Sequence, residues 1–108
     1  MTTPIAGGGT TITVAREPAL AERIASRVGS VPGVAGLHGG TFGDVVTYLP
    51  GSRLAGVRIT DDRIQVHVVT IAGRPIHPIA AAVRLAVQDL TDRPVDVTIE
   101  DIATPSTT

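Results

Sequence analysis

Two alternating runs separated by a pair of acidic residues constrain this chain more than any other feature: Gly56-Val-Arg-Ile-Thr60, then Asp61-Asp62, then Arg63-Ile-Gln-Val-His-Val-Val-Thr-Ile71. Successive side chains of a strand point to opposite faces, so this pattern predicts an antiparallel hairpin that turns at Asp61-Asp62. Val57, Ile59, Ile64, Val66 and Val68 fall on one face, and Arg58, Gln65 and His67 on the other. One face of the sheet must therefore be covered, and the other is largely polar. Val69 and Ile71 fall on the polar face as exposed apolar residues.

Two amphipathic segments supply the cover. From Pro18, suited to a first helical turn, Leu20, Ala21, Ile24 and Val28 share a stripe, and Pro32-Gly33 ends the helix. A second helix is predicted from Pro78 to Leu90, with Ile79, Val83, Ala86, Val87 and Leu90 inward. On a helical wheel Ala81, Arg84, Leu85 and Gln88 then lie roughly opposite the core stripe. Val95-Asp-Val-Thr-Ile-Glu100 alternates as a last strand, and the β-branched run Thr10-Thr-Ile-Thr-Val14 reads as a first, edge strand. Val34 to Gly40 reads as a glycine-rich loop. Phe42, Val45, Val46 and Leu49 have helical spacing, which predicts a short helix over 41–49 before the Pro50-Gly51 turn.

The resulting order is β-α-(α)-β-β-α-β. It implies an α+β two-layer sandwich, with a small mixed or antiparallel sheet and helices on one face. With 108 residues the chain holds one core. Residues 1–9, with Gly7-Gly8-Gly9, are expected to be flexible, residues 10–102 to form the domain, and residues 103–108 to be a disordered tail.

Composition removes several chemistries. Nine arginines face ten acidic residues, giving a net charge of −1, so nucleic acid is not favoured. There is no cysteine, which excludes thiolate nucleophiles and cysteine-bound zinc or iron–sulfur sites. One Phe and one Tyr are too few for a base-stacking platform. His38, His67 and His77 lack metal-ligand spacing, Ser26, Ser30 and Ser52 lie in no nucleophile elbow, and Asp61-Asp62 reads as a turn. No catalytic residue, cofactor or metal is expected. Met1 to Gly9 shows neither a basic segment nor a continuous apolar stretch of a secretory signal, and no apolar run approaches the roughly 20 residues of a membrane span. A cytoplasmic protein without direct membrane insertion is expected. Gly36-Leu-His-Gly39 matches the bare Gly-x-x-Gly of a KH-type RNA clamp, which leaves a KH-like RNA-binding domain as one alternative. A small-molecule sensor using the open sheet face is another.

The stretch Ile24-Ala-Ser-Arg-Val-Gly-Ser-Val-Pro-Gly-Val-Ala-Gly-Leu37, with Gly56-Val-Arg-Ile59, Val68-Val-Thr-Ile71, Ile76-His-Pro-Ile79 and Val95-Asp-Val-Thr-Ile-Glu-Asp-Ile102, resembles the alkaline shock protein family of bacterial envelope stress response proteins. The resemblance runs from about Thr10 to Ile102, and its sharpest element is Val31-Pro-Gly-Val-Ala-Gly36 directly after a helix. The chain departs from the family pattern at Ala80-Ala81-Ala82, where charged residues commonly stand, and in having no lysine. The resemblance implies a cytoplasmic stress-response protein without established catalytic chemistry. It also implies association with further copies of itself, or with the membrane through a separate anchoring protein. Two surfaces are candidates for such contacts: Ala81, Arg84, Leu85 and Gln88 on the second helix, and Arg58 and His67 on the open sheet face.

Overall fold

The computed structural model describes residues 18–104. The expected flexible segment 1–9 and the expected strand at Thr10–Val14 lie outside the described residues, as does most of the expected tail. The described elements run α1 (Pro18–Gly29), β1 (Val34–Leu37), β2 (Val46–Leu49), β3 (Ser52–Ala55), β4 (Val57–Ile59), β5 (Ile64–Ile71), α2 (Ile76–Gln88) and β6 (Val95–Ala103).

β5 organises the sheet. β6 lies parallel to it along its whole length, from Ile64↔Val95 to Ile71↔Ala103. The opposite edge of β5 is shared by two short antiparallel strands placed end to end. β4 pairs through Val57↔Val66 to Ile59↔Ile64, and β1 through Val34↔Thr70 to Leu37↔Val68. Between them the His67 amide donates to the Gly56 carbonyl at 2.9 Å and the His38 amide to the His67 carbonyl at 2.9 Å, so the ladder continues across the junction. Parallel neighbours need a long crossover, and α2 is that crossover between β5 and β6.

The alternation read from the sequence is the burial pattern observed. Ile64, Val66, Val68 and Thr70 are buried, whereas Gln65, His67, Val69 and Ile71 are half-buried. Ile24 and Val28 of α1 and Ile79, Val83 and Val87 of α2 meet Val57, Ile64, Val66, Val68 and Val95 in one core. The α+β fold with two layers and helices on one face is thus present, and both helices bury the centres of their expected stripes; Leu20, Ala86 and Leu90 are half-buried, and α2 runs Ile76–Gln88 instead of the expected Pro78–Leu90, which leaves Leu90 in the turn beyond it.

Three expectations need correction. Residues 34–37 form strand β1 rather than part of a loop. Two of its four residues are alanine and glycine, and its pairing comes from the free edge of distant β5, a tertiary effect that local propensity does not carry. Residues 46–49 form a strand, not the expected helix over 41–49, and pair with β3 from Val46↔Ala55 to Leu49↔Ser52. Here a period of two prevails: Val45 and Thr47 are buried, whereas Phe42, counted on the helical stripe, is 89% exposed. Gly43 at φ 71° also sits in a left-handed conformation that no helix accommodates. Finally, β6 extends to Ala103, because the Ala72 amide donates to the Ala103 carbonyl at 2.9 Å and draws that residue out of the expected tail.

The β2–β3 hairpin closes the outer edge of β4. The Thr47 hydroxyl donates to the Val57 carbonyl, and the Gly56 amide donates to the Val45 carbonyl at 2.7 Å.

Candidate interaction surfaces

α2 presents its outward side where the sequence placed it. Ile79, Val83 and Val87 are buried, and Ala81, Arg84, Leu85 and Gln88 are exposed, with Leu85 at 67%. The four residues form one surface, but they are not equivalent. Arg84 leans over the flank of the helix, and its Nε donates to the Val95 carbonyl of β6 at 3.3 Å. On the opposite flank Asp89, which caps the helix, accepts a bond from Arg27 Nη1 of α1 at 3.1 Å. The outward ridge of Ala81, Leu85 and Gln88 lies between these two tethers.

The open sheet face carries Arg58, Gln65, His67, Asp96, Thr98 and Glu100. It is less available than the sequence suggested. His67 Nδ1 lies 2.5 Å from Glu100 Oε2, and the two side chains are only 17% and 15% exposed. A neutral imidazole and an imidazolium can each donate from Nδ1, so the contact serves either form. Arg63 Nη1 donates to Asp96 Oδ2 at 2.7 Å on the same face. Arg58 remains exposed, opposite Gln65 on the same face. Val69 and Ile71, expected to be exposed, are half-buried because neighbours flank them: Gly36 and Asp101 beside Val69, and Ala103 beside Ile71. The structure therefore brings Ala81, Arg84, Leu85 and Gln88 together on α2, and places Arg58 and His67 on the same sheet face, Arg58 exposed and His67 held by Glu100.

Aromatic residues add a feature the sequence reading missed. Both aromatic side chains of the protein are at the surface near the β2–β3 hairpin, Phe42 at 89% exposure and Tyr48 at 42%. The loop that carries Phe42 is held by two backbone bonds, Gly43 to Gly40 and Val45 to Gly39, and by one side chain, as the Gly40 amide donates to His38 Nδ1 at 3.0 Å. Gly39, Gly40 and Gly43 around a lone Phe were the signal available.

The RNA-clamp spacing loses its context. Gly36 sits inside β1, and the chain after Gly39 leads to a strand instead of the helix that such a clamp opens. A shallow depression on α1 is lined by Arg23, Ser26, Arg27 and Ser30, but the Ser30 hydroxyl is engaged with the Ser26 carbonyl and Arg27 with Asp89. Among the described residues, no three His, Asp or Glu side chains are gathered to hold a metal ion, and no helix is long and apolar enough to cross a membrane.

No family model matches the sequence, and no curated protein matches it. Solved structures do match by shape. A methionine-to-leucine variant of the MamM C-terminal domain superposes with a TM-score of 0.53 at 20% identity, covering 81% of this chain and 99% of that one. The copper form of the same domain gives 0.54 at 20% identity, over 84% and 91% of the two chains. A tryptophan-to-alanine variant gives 0.54 at 16% identity, over 86% and 99%. The likeness is one of fold. It spans nearly the whole of each MamM domain, so the α+β arrangement described above stands as a complete unit in those proteins too.

Proposed function

We propose that this chain is a non-catalytic protein-interaction module that associates with copies of itself. The observation that carries the reading is the outward side of α2, where Leu85 stands 67% exposed in a continuous ridge with Ala81 and Gln88 while the opposite stripe is fully used in the core. With two thirds of its surface exposed, Leu85 adds little to the core, and burying the remainder against a partner contributes about 1–2 kcal/mol to association. The fold likeness to the MamM C-terminal domains is consistent with a small module of this fold, and the self-association itself rests on the α2 ridge. The resemblance to the alkaline shock proteins carries it further: a bacterial, cytoplasmic envelope-stress protein that reaches the membrane through an anchoring partner.

Sedimentation of the full chain over a range of concentrations tests the proposal. The apparent mass should rise with concentration, and Leu85→Asp should lower it while leaving the circular dichroism spectrum unchanged. A wild type that stays monomeric at every concentration, and gains mass only when RNA is added, would replace this reading with the RNA-binding one.

A further inference from the structure

The two edges of the main sheet are unequal. The outer edge of β4 is closed by the hairpin through Thr47 and Gly56. β6, nine residues long, borders β5 alone among the described residues. The register shows which of its backbone groups face outward. The Ile64 amide donates to the Pro94 carbonyl, so Pro94, Asp96 and Thr98 turn toward β5, and Val95, Val97 and Ile99 turn away. Beyond the irregularity opposite Val68 and Val69, the Ala72 amide donates to the Ala103 carbonyl, which leaves Ile102 outward.

The two ends of this edge are capped by side chains of opposite charge. Arg84 Nε donates to the Val95 carbonyl at 3.3 Å, and the Ile102 amide donates to Asp101 Oδ1 at 2.8 Å. Between the caps the amides and carbonyls of Val97 and Ile99 have no strand partner among the described residues.

We propose that this interval is where two copies of the chain pair, antiparallel about a two-fold axis at Thr98. The proposal rests on the self-association reading and adds the β6 edge as a second surface besides the α2 ridge. An antiparallel arrangement brings the cationic end of one edge, at Arg84, to the anionic end of the other, at Asp101, and does so twice; a parallel one sets Arg84 beside Arg84. In the symmetric register Thr98 faces Thr98, and Val97 faces Ile99 on the helix side, pairs of the kind that stabilise adjacent strands. Asp96 then faces Glu100 on the open side, with each carboxylate already engaged by Arg63 or His67 of its own copy. The irregularity after Ile99 reverses the outward parity, so the shared ladder is confined to Val97 and Ile99 and the association is weak and concentration-dependent.

The full chain has no cysteine, so Thr98→Cys introduces a unique probe. Directly opposite, non-hydrogen-bonded residues of antiparallel strands lie about 4.5 Å apart between Cα atoms, within disulfide reach. Mild oxidation should yield a covalent dimer of Thr98→Cys, and none of the exposed α1 control Ser26→Cys. Val97→Pro removes an outward amide that β5 does not use, and should raise the dissociation constant by about tenfold or more as two hydrogen bonds are lost across the dyad. Arg84→Glu should weaken association, and Arg84→Glu combined with Asp101→Arg should restore it. If the wild type associates but Val97→Pro and Arg84→Glu leave its dissociation constant unchanged and Thr98→Cys crosslinks no faster than the control, the edge is wrong and the interaction reading survives on α2. A wild type monomeric at every concentration overturns both. A wild type that dimerises only after residues 1–14 are removed overturns the proposal in favour of the chain's own upstream stretch as the occupant.

Discussion

Gly33 lies against Ile79. It leaves α1 at φ 97°, and a Cβ built on it would stand 2.6 Å from Cδ1 of Ile79, the first buried residue of α2. The turn between α1 and β1 is thereby set by the start of a helix more than forty residues downstream. Gly33→Ala should cost about 1–3 kcal/mol, from backbone strain and displacement of Ile79 together. Gly51, at φ 77° with open space around it, is the control: Gly51→Ala carries the strain without the collision and should cost less. Urea denaturation of the two variants compares them directly.

Ile24 of α1 and Val83 of α2 are both fully buried in the shared core. Ile24→Ala should destabilise by about 2–4 kcal/mol and Val83→Ala by somewhat less, since each leaves a cavity over the sheet as well as losing burial. An effect below about 0.5 kcal/mol in either would contradict the packing of that helix.

Two buried threonines should respond in opposite directions. Thr47 donates its hydroxyl to the Val57 carbonyl, whereas Thr70 Oγ1 is buried without a hydrogen-bond partner in the structure. Thr47→Val should lose about 1 kcal/mol, and Thr70→Val should be neutral or gain up to about 1 kcal/mol. Thermal melts of the two valine variants provide the measurement.

The His67–Glu100 pair on the polar face is mostly enclosed. His67→Leu leaves the carboxylate without its donor and should cost about 1–3 kcal/mol, while His67→Gln keeps a donor and should cost less. Equal losses in the two variants would show that the bond itself contributes little. By contrast Arg27→Ala, which breaks the exposed pair with Asp89, should change stability by no more than about 0.5 kcal/mol.

Legibility in the sequence followed the range of the forces involved. The hairpin from Gly56 to Ile71 and the stripes of both helices were readable because their periodicity records burial residue by residue. β1 was not: Val34-Ala-Gly-Leu37 has little pattern of its own and becomes a strand because β5 has a vacant half-edge beside β4. The hairpin at Val46 was ambiguous in a more specific way. Phe42, Val45, Val46 and Leu49 fit a helix, while Val45 and Thr47 fit a strand, and only the site that receives Thr47 decides between them. For the candidate surfaces, the outward ridge at Leu85 followed from helix geometry alone. The enclosure of His67 did not, since it depends on the register that sets β6 beside β5.

Among the described residues every pairing of the four-stranded sheet is a pairing with β5, and the β2–β3 hairpin is attached to that sheet through the edge of β4. No strand pair in the main sheet can survive the loss of β5, so its amides should exchange with solvent deuterium only when the whole molecule unfolds. The hairpin can detach by giving up its bonds at Thr47 and Gly56 and the burial of Val45 and Leu54 without breaking that ladder, and its amides should exchange earlier, through a partial opening. The molecule thus has two tiers of protection from exchange, with the loop that displays Phe42 joined to the tier that opens first.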